Sequence, residues 1–135
     1  MLKSAELGKE ILVTVMNRIG VLADMSRILA DHGINIQAVT GYAVNNDATI
    51  MIVTEDNLRA MDALKKAGYK GAKENSVIML EIENKAGALK TITAKLASEN
   101  IDIRYIYGTA CTGSCPSRVV LSTNNDEKAL VAFKR

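Results

Sequence analysis

Apolar residues first alternate along the chain and then change period. Ile11, Val13 and Val15 alternate with Leu12, Thr14 and Met16, a spacing of two that predicts a strand. The second face of that strand is also mostly apolar, so the sheet it joins is expected to be covered on both sides. From Val21 the spacing becomes helical: Val21, Leu22, Met25, Ile28 and Leu29 share one face, with Asp24, Arg27 and Asp31 elsewhere on the wheel. Gly33 is the expected stop. Ile34 to Ala43 returns to extended character, Asn45-Asn46-Asp47 is a turn, and Thr49 to Val53 is β-branched, which together predict a hairpin. Thr54-Glu55-Asp56-Asn57 has the chemistry of a helix start, with Leu58, Met61 and Leu64 as the expected buried stripe and Gly68 as the stop. Tyr69 to Asn75 is short and polar and contains Gly71, which fits a weak closing strand or a linker.

The pattern then starts again. A strand is expected over Val77 to Glu83, a helix over Ala88 to Glu99, strands over Ile101 to Thr109 and Arg118 to Thr123, and a helix over Asp126 to Phe133. Gly20 and Gly87 are 87 − 20 = 67 positions apart. At that offset Ile11 matches Ile78, Asn17 matches Asn84, Leu22 matches Leu89, Ile36 matches Ile103 and Gly41 matches Gly108. An internal repeat of this length decides the architecture before any single element does. It predicts an α+β chain of two ferredoxin-like units, over residues 1–74 and 75–135. The second lacks a closing strand, so its sheet has an edge that must be paired or covered.

Composition narrows the function classes. The chain has 135 residues and a formal net charge of +2 with both signs interspersed, which argues against a nucleic-acid or membrane footprint. Nothing approaches the length of a membrane span, and Met1 to Glu10 mixes Lys and Glu without an apolar signal core, so a cytoplasmic protein is expected. Halves this small bury little surface, so each is expected to lean on the other or on a second chain, most simply in a homodimer.

The repeat, the element order and the turn residues resemble a tandem pair of ACT domains, small βαββαβ regulatory modules that commonly bind amino acids. The matching pattern is Asn-x-x-Gly-x-Leu, an apolar helix, then Gly-Ile-Asn-Ile. Here it runs from Asn17 to Leu22 and from Gly33 to Ile36, and again from Asn84 to Leu89 and from Asn100 to Ile103. The family often has Pro before the Gly, where this chain has Ile19 and Ala86, which leaves the turn less constrained in φ. The resemblance implies a ligand where two such domains meet. It implies an amino-acid effector, a regulated metabolic enzyme as a partner, and no catalysis, cofactor or metal.

The residues give that implication a physical basis. A strand feeding a helix leaves the first helical N–H groups without partners, and these attract a carboxylate together with the positive end of the helix dipole. Around the first turn the candidate ligand-binding residues are Asn17, Arg18, Ile19, Gly20, Val21 and Leu22, with Asn35 and Ile36 at the next strand. Around the second they are Asn84, Lys85, Ala86, Gly87, Ala88 and Leu89, with Asp102 and Ile103. Asn17 and Asn84 offer both donor and acceptor, and Asn35 or Asp102 can receive an α-ammonium. The bland reading, that Asn and Gly are only turn makers, is as common on local grounds alone; the repeated context favours a site.

Other features point less far. Cys111 and Cys115 flank Thr112-Gly113-Ser114; free thiols are the default in a cytosolic chain, ahead of a redox-sensitive local disulfide, with half of a metal site last. His32, the sole histidine, reads as a helix-end residue, having no titratable partner spaced to orient it. Tyr105 and Tyr107 share a strand face, but the strands Ile11 to Met16, Thr49 to Val53 and Val77 to Glu83 carry no aromatic residue to complete a stacking platform for a base, so packing or pocket lining is favoured. The methionines read as adaptable packing. An acylphosphatase-type enzyme needs an Arg cradle and a neighbouring Asn, for which Arg18 with Asn45 or Asn46 is a loose match. The reading that best joins these observations is a non-enzymatic, amino-acid-responsive regulator. The alternatives are a ligand-free oligomerisation scaffold and a redox-sensitive regulator acting through Cys111 and Cys115.

Overall fold

A computed structural model describes residues 2–110 and 113–135. The elements run β1 (Leu2–Met16), α1 (Val21–Asp31), β2 (Ile36–Val44), β3 (Asp47–Thr54), α2 (Asn57–Lys66), β4 (Lys73–Ile82), α3 (Ala88–Ser98), β5 (Ile103–Thr109), β6 (Ser117–Thr123) and α4 (Asp126–Lys134). They divide into two compact units. The first unit is Lys9–Asn75, and the second joins Met1–Gly8 to Ser76–Arg135.

In the first unit the strand order is β2-β3-β1-β4, with β3 antiparallel to both of its neighbours. Ile11 and Val13 of β1 and Ile50 and Ile52 of β3 face Met25 and Leu29 of α1 and Leu64 of α2, forming one apolar core. Each such side chain contributes about 1.5–3 kcal/mol by leaving water. The buried face of α2 differs from the expected stripe: it is Ala60, Ala63 and Leu64, while Leu58 is 69% exposed.

In the second unit the order is β1-β4-β6-β5. Ile78 and Leu80 of β4 and Leu121 of β6 face Ile92 and Leu96 of α3 and Ala129 of α4. The strand that seemed to be missing after α4 is present, because residues 2–8 of β1 lie beside β4 and bring Leu2 and Ala5 against this core. The division between the units falls between Asn75 and Ser76, and residues 2–8 group with the C-terminal half.

Helix ends repeat closely. Gly33 and Asn100, 67 positions apart, both take positive φ values, 69° and 57°. At both ends the chain closes the helix with paired bonds: Ile34 N–H donates to Leu29 O and Gly33 N–H to Ala30 O, as Ile101 does to Leu96 and Asn100 to Ala97. At the starts of α2 and α4, the side chains of Asp56 and Asn125 accept from the N–H groups of Arg59 and Lys128. Arg59 and Lys128 in turn donate to the carbonyls of His32 and Glu99 at the ends of α1 and α3. Among the described residues no helix is long and apolar enough to cross a membrane.

Candidate functional site

The two strand-to-helix corners are built alike. Gly20 has φ 90° and ψ 6°, and the Val21 N–H donates back to Arg18 O at 3.4 Å. Gly87 has φ 87° and ψ −11°, with the Ala88 N–H donating to Lys85 O at 3.3 Å. These are the dihedrals and the closing bond of a type II turn, whose third position requires positive φ. The turn uses the first N–H of each helix. No side chain caps α1 or α3, in contrast to α2 and α4. The next N–H groups, of Leu22 and Ala23 and of Leu89 and Lys90, meet no acceptor among the described residues.

A groove opens on each corner. In the first unit it has a volume of about 360 Å³ and is lined by Asn17, Arg18, Gly20, Val21 and Leu22 from the corner, and by Gly41, Tyr42, Ala43, Ala48 and Ile50 from the β2–β3 hairpin. In the second unit it has a volume of about 460 Å³ and is lined by Asn84, Lys85, Ala88 and Leu89 together with Ile82 and Glu83. The β5–β6 side supplies Ile106, Tyr107, Gly108, Thr109, Ala110, Ser117 and Val119. Leu22, placed on the helical apolar stripe by its spacing, and its match Leu89 are 44% and 50% exposed and line the grooves.

Several expected site residues lie elsewhere. Asn35, Ile36, Asp102 and Ile103 line neither groove. The physical reason is length: an 11-residue helix carries the chain away from its corner by roughly 16 Å, at about 1.5 Å per residue, before the next strand begins. The Asn35 N–H is held by the Glu55 carboxylate at 3.2 Å, and the Asp102 N–H by the Asn124 side-chain oxygen at 3.1 Å. It is the far ends of β2 and β5 that return to the corners, and these hairpin residues were missed. One signal pointed to them, the match of Gly41 with Gly108. At Gly108 an added Cβ would lie 2.9 Å from the Arg118 carbonyl, so the backbone approach itself demands glycine. Ile19 is fully exposed at the turn, and Ala86 and Gly87 shape the second corner without lining its groove.

The charges around the corners differ. In the first unit Arg18 donates to the Tyr69 hydroxyl at 3.2 Å, and that hydroxyl donates to Asp24 at 2.6 Å. Arg27 bridges Asp24 at 2.8 Å and Asp31 at 3.2 Å. The Tyr69 hydroxyl, and after it Arg27, hold the Asp24 carboxyl below its usual range; burial first, then Asp24, pushes the Tyr69 phenol up. At the corresponding positions of the second unit stand Thr91 and Ala94, so this network has no counterpart. There Lys85 bridges Glu83 at 2.9 Å and is the main cause that lowers the Glu83 carboxyl to about 2.

Cys115 is disulfide-bonded, against the expectation of a free thiol; Cys111 lies outside the described residues. His32 Nδ1 is 2.9 Å from Ile28 O at the end of α1. No group of three His, Cys, Asp or Glu able to hold a metal occurs among the described residues.

The comparison that bears on the first corner is a family match over residues 9–68, which begins with the first unit and contains its whole groove. The matching model is that of the ACT domain. The match ends at Gly68, before β4. No curated protein matches the sequence. In fold the chain is similar to a protein from Bacteroides thetaiotaomicron, with TM-score 0.88 and 24% identity over 96% of this chain and 88% of that one. It is also similar to the ligand-free regulatory subunit of aspartate kinase from Thermus thermophilus, with TM-score 0.68 and 15% identity over 98% and 96%. A third similar structure contains aspartokinase alpha and beta subunits, with TM-score 0.61 and 17% identity over 98% and 96%. At these identities the likeness is one of fold.

Proposed function

We propose that the chain is a non-enzymatic regulatory protein that binds a small amino acid in its grooves. The reading treats the second unit as another ACT-type module in tandem with the ACT segment, on the strength of the repeated corner, element order and caps. One observation carries it: among the described residues, α1 and α3, whose first turns line the two corner grooves, have no side-chain cap, whereas α2 and α4 each have one. A ligand carboxylate has donors waiting for it there, and two charge-assisted bonds to backbone N–H groups are about twice as strong as neutral ones.

Both grooves are open to solvent, so a second copy of the chain closing over them in an ACT–ACT interface completes the proposed assembly. Binding then favours one arrangement over another by its difference in affinity for the two, and a metabolic enzyme is the partner that reads the bias. The regulatory subunit of aspartate kinase among the similar folds supports that kind of partnership.

A thermal-shift panel with the twenty amino acids tests the reading. At least one is expected to raise the melting temperature at millimolar concentration. Ala43→Trp and Ala110→Trp, at exposed positions on the two groove walls, are expected to remove the shift from their own groove. No stabilisation by any amino acid would leave the scaffold reading in its place.

A further inference from the structure

Tyr69 does not line the first groove, yet its hydroxyl stands between Arg18, which does, and Asp24, the acidic residue in the first turn of α1. Resting on the reading of this groove as an effector site, we infer that Tyr69 is its positioning residue: the phenol holds the Asp24 carboxylate, so that Arg18 and the bare amides of α1 stay available to the carboxylate of an amino acid.

An Asp in the first turn of a helix is an internal rival for any anion that binds there. Its charge is favoured at the positive end of the helix, and short acidic side chains readily accept from nearby backbone N–H groups. Here both oxygens of the rival are bonded elsewhere. Asp24 Oδ2 accepts from the Tyr69 hydroxyl at 2.6 Å, and Oδ1 accepts from Arg27 at 2.8 Å. Arg18 reaches the Tyr69 hydroxyl at 3.2 Å and stands farther from Asp24, at 3.7 Å. The network holds two charges of each sign, Arg18 and Arg27 against Asp24 and Asp31. Without the phenol, Oδ2 turns to the donors nearest it, which are those a ligand carboxylate would use.

Tyr69 is built as a fixed post. Its side chain is buried in the first unit's core, its N–H donates to Leu64 O at 2.9 Å, and its carbonyl accepts from the Ala72 N–H at 3.2 Å. Burial and Asp24 push the phenol up, so it remains a donor across the physiological range. At the second corner the rival is absent. The first turn of α3 has no acidic residue, and Thr91 stands where Asp24 does.

Amide spectra of the full chain, recorded with each of the twenty amino acids in turn, read the first corner from Leu22 and Ala23 and the second from Leu89 and Lys90. Tyr69→Phe keeps the ring for the core and removes the hydroxyl. For the amino acid that moves Leu22 and Ala23 most, it is expected to weaken binding by about tenfold, the size of one charge-assisted bond. The second corner is expected to titrate within about twofold of wild type. The Asp24 carboxyl, held down by Tyr69 above all, is expected to titrate at higher pH in this variant. Tyr69→Phe combined with Asp24→Ala removes the rival too, and is expected to return binding at the first corner to within about twofold of wild type, as is Asp24→Ala alone. A phenol that served only stability would leave the double variant as weak as the single one. That result, unchanged binding in Tyr69→Phe, an unmoved Asp24 midpoint, weakened binding in Asp24→Ala, or amino acids that move only Leu89 and Lys90 overturns this inference while the effector reading stands. No movement of any amide with any of the twenty overturns both.

Discussion

Gly20 and Gly87 hold φ near 90°, where any residue with a Cβ is strained. Nothing lies within 4 Å of the Cβ that Gly20 lacks, so its replacement costs backbone conformation and no clash. Gly20→Ala is expected to lower stability by about 1–2 kcal/mol in chemical denaturation. Gly33→Asn is expected to be nearly neutral, because Asn100 already adopts that conformation at the equivalent place. Titration supplies a second test at this scale. The Glu83 carboxyl, lowered from 4.5 to about 2, contributes favourably above pH 4.5, and that contribution disappears as pH falls through about 2. Carbon-detected titration is expected to place its midpoint near 2 and to move it up toward 4.5 in Lys85→Gln; a midpoint unmoved by that change would dismiss Lys85 as the cause. The glycines and asparagines of the corners were legible in the sequence because turn chemistry is local. Leu22 and Leu89 were named with their corners, but the exposure of Leu22 was harder to read, since spacing puts it on the core stripe and only three-dimensional packing shows that the stripe is wider than the core.

The contrast between capped and uncapped helices belongs to the scale of elements. Asp56→Ala and Asn125→Ala, each removing a side-chain acceptor from a first helical turn, are expected to cost about 1 kcal/mol each. No such loss is available at α1 or α3, where the first turn has no side-chain cap to remove. Element type was legible over most of the chain from Ile11 onward, because the apolar period changes between two and 3.6 at most boundaries. The orientation of α2 was not. Leu58 and Leu64 suggested the buried face, yet Ala60 and Ala63 lie against the core, where small side chains let the helix approach closely. Leu64→Ala, which empties a fully buried position, is expected to lower stability by about 2–5 kcal/mol; a loss under 1 kcal/mol would contradict the placement of the core.

At the scale of the whole molecule, the repeat announced two similar units, and the way the chain builds the second one was hidden. Met1 to Glu10 read only as a mix of Lys and Glu without an apolar signal core, because the spacing of Leu2, Ala5 and Leu7 favours no regular element. In the fold residues 2–8 form the strand beside β4 and place Leu2 and Ala5 on the second core. Removing residues 1–7 is therefore expected to destabilise the second unit by about 3 kcal/mol, from partial loss of two apolar contacts and several ladder bonds. Hydrogen exchange should accelerate in β4, β6 and α3, and an unchanged pattern there would refute the assignment of this segment. The site was half legible for a related reason: local sequence specified the corners, while the hairpin residues that face them come from the far ends of β2 and β5. The central claim is that the bare amides of α1 and α3 receive an amino-acid carboxylate. The most direct measurement is a two-dimensional amide spectrum of the full chain with each amino acid at millimolar concentration. At least one is expected to shift Leu22 and Ala23 or Leu89 and Lys90 ahead of all other amides. Spectra in which these four stay still while others move, or in which nothing moves, would contradict the account.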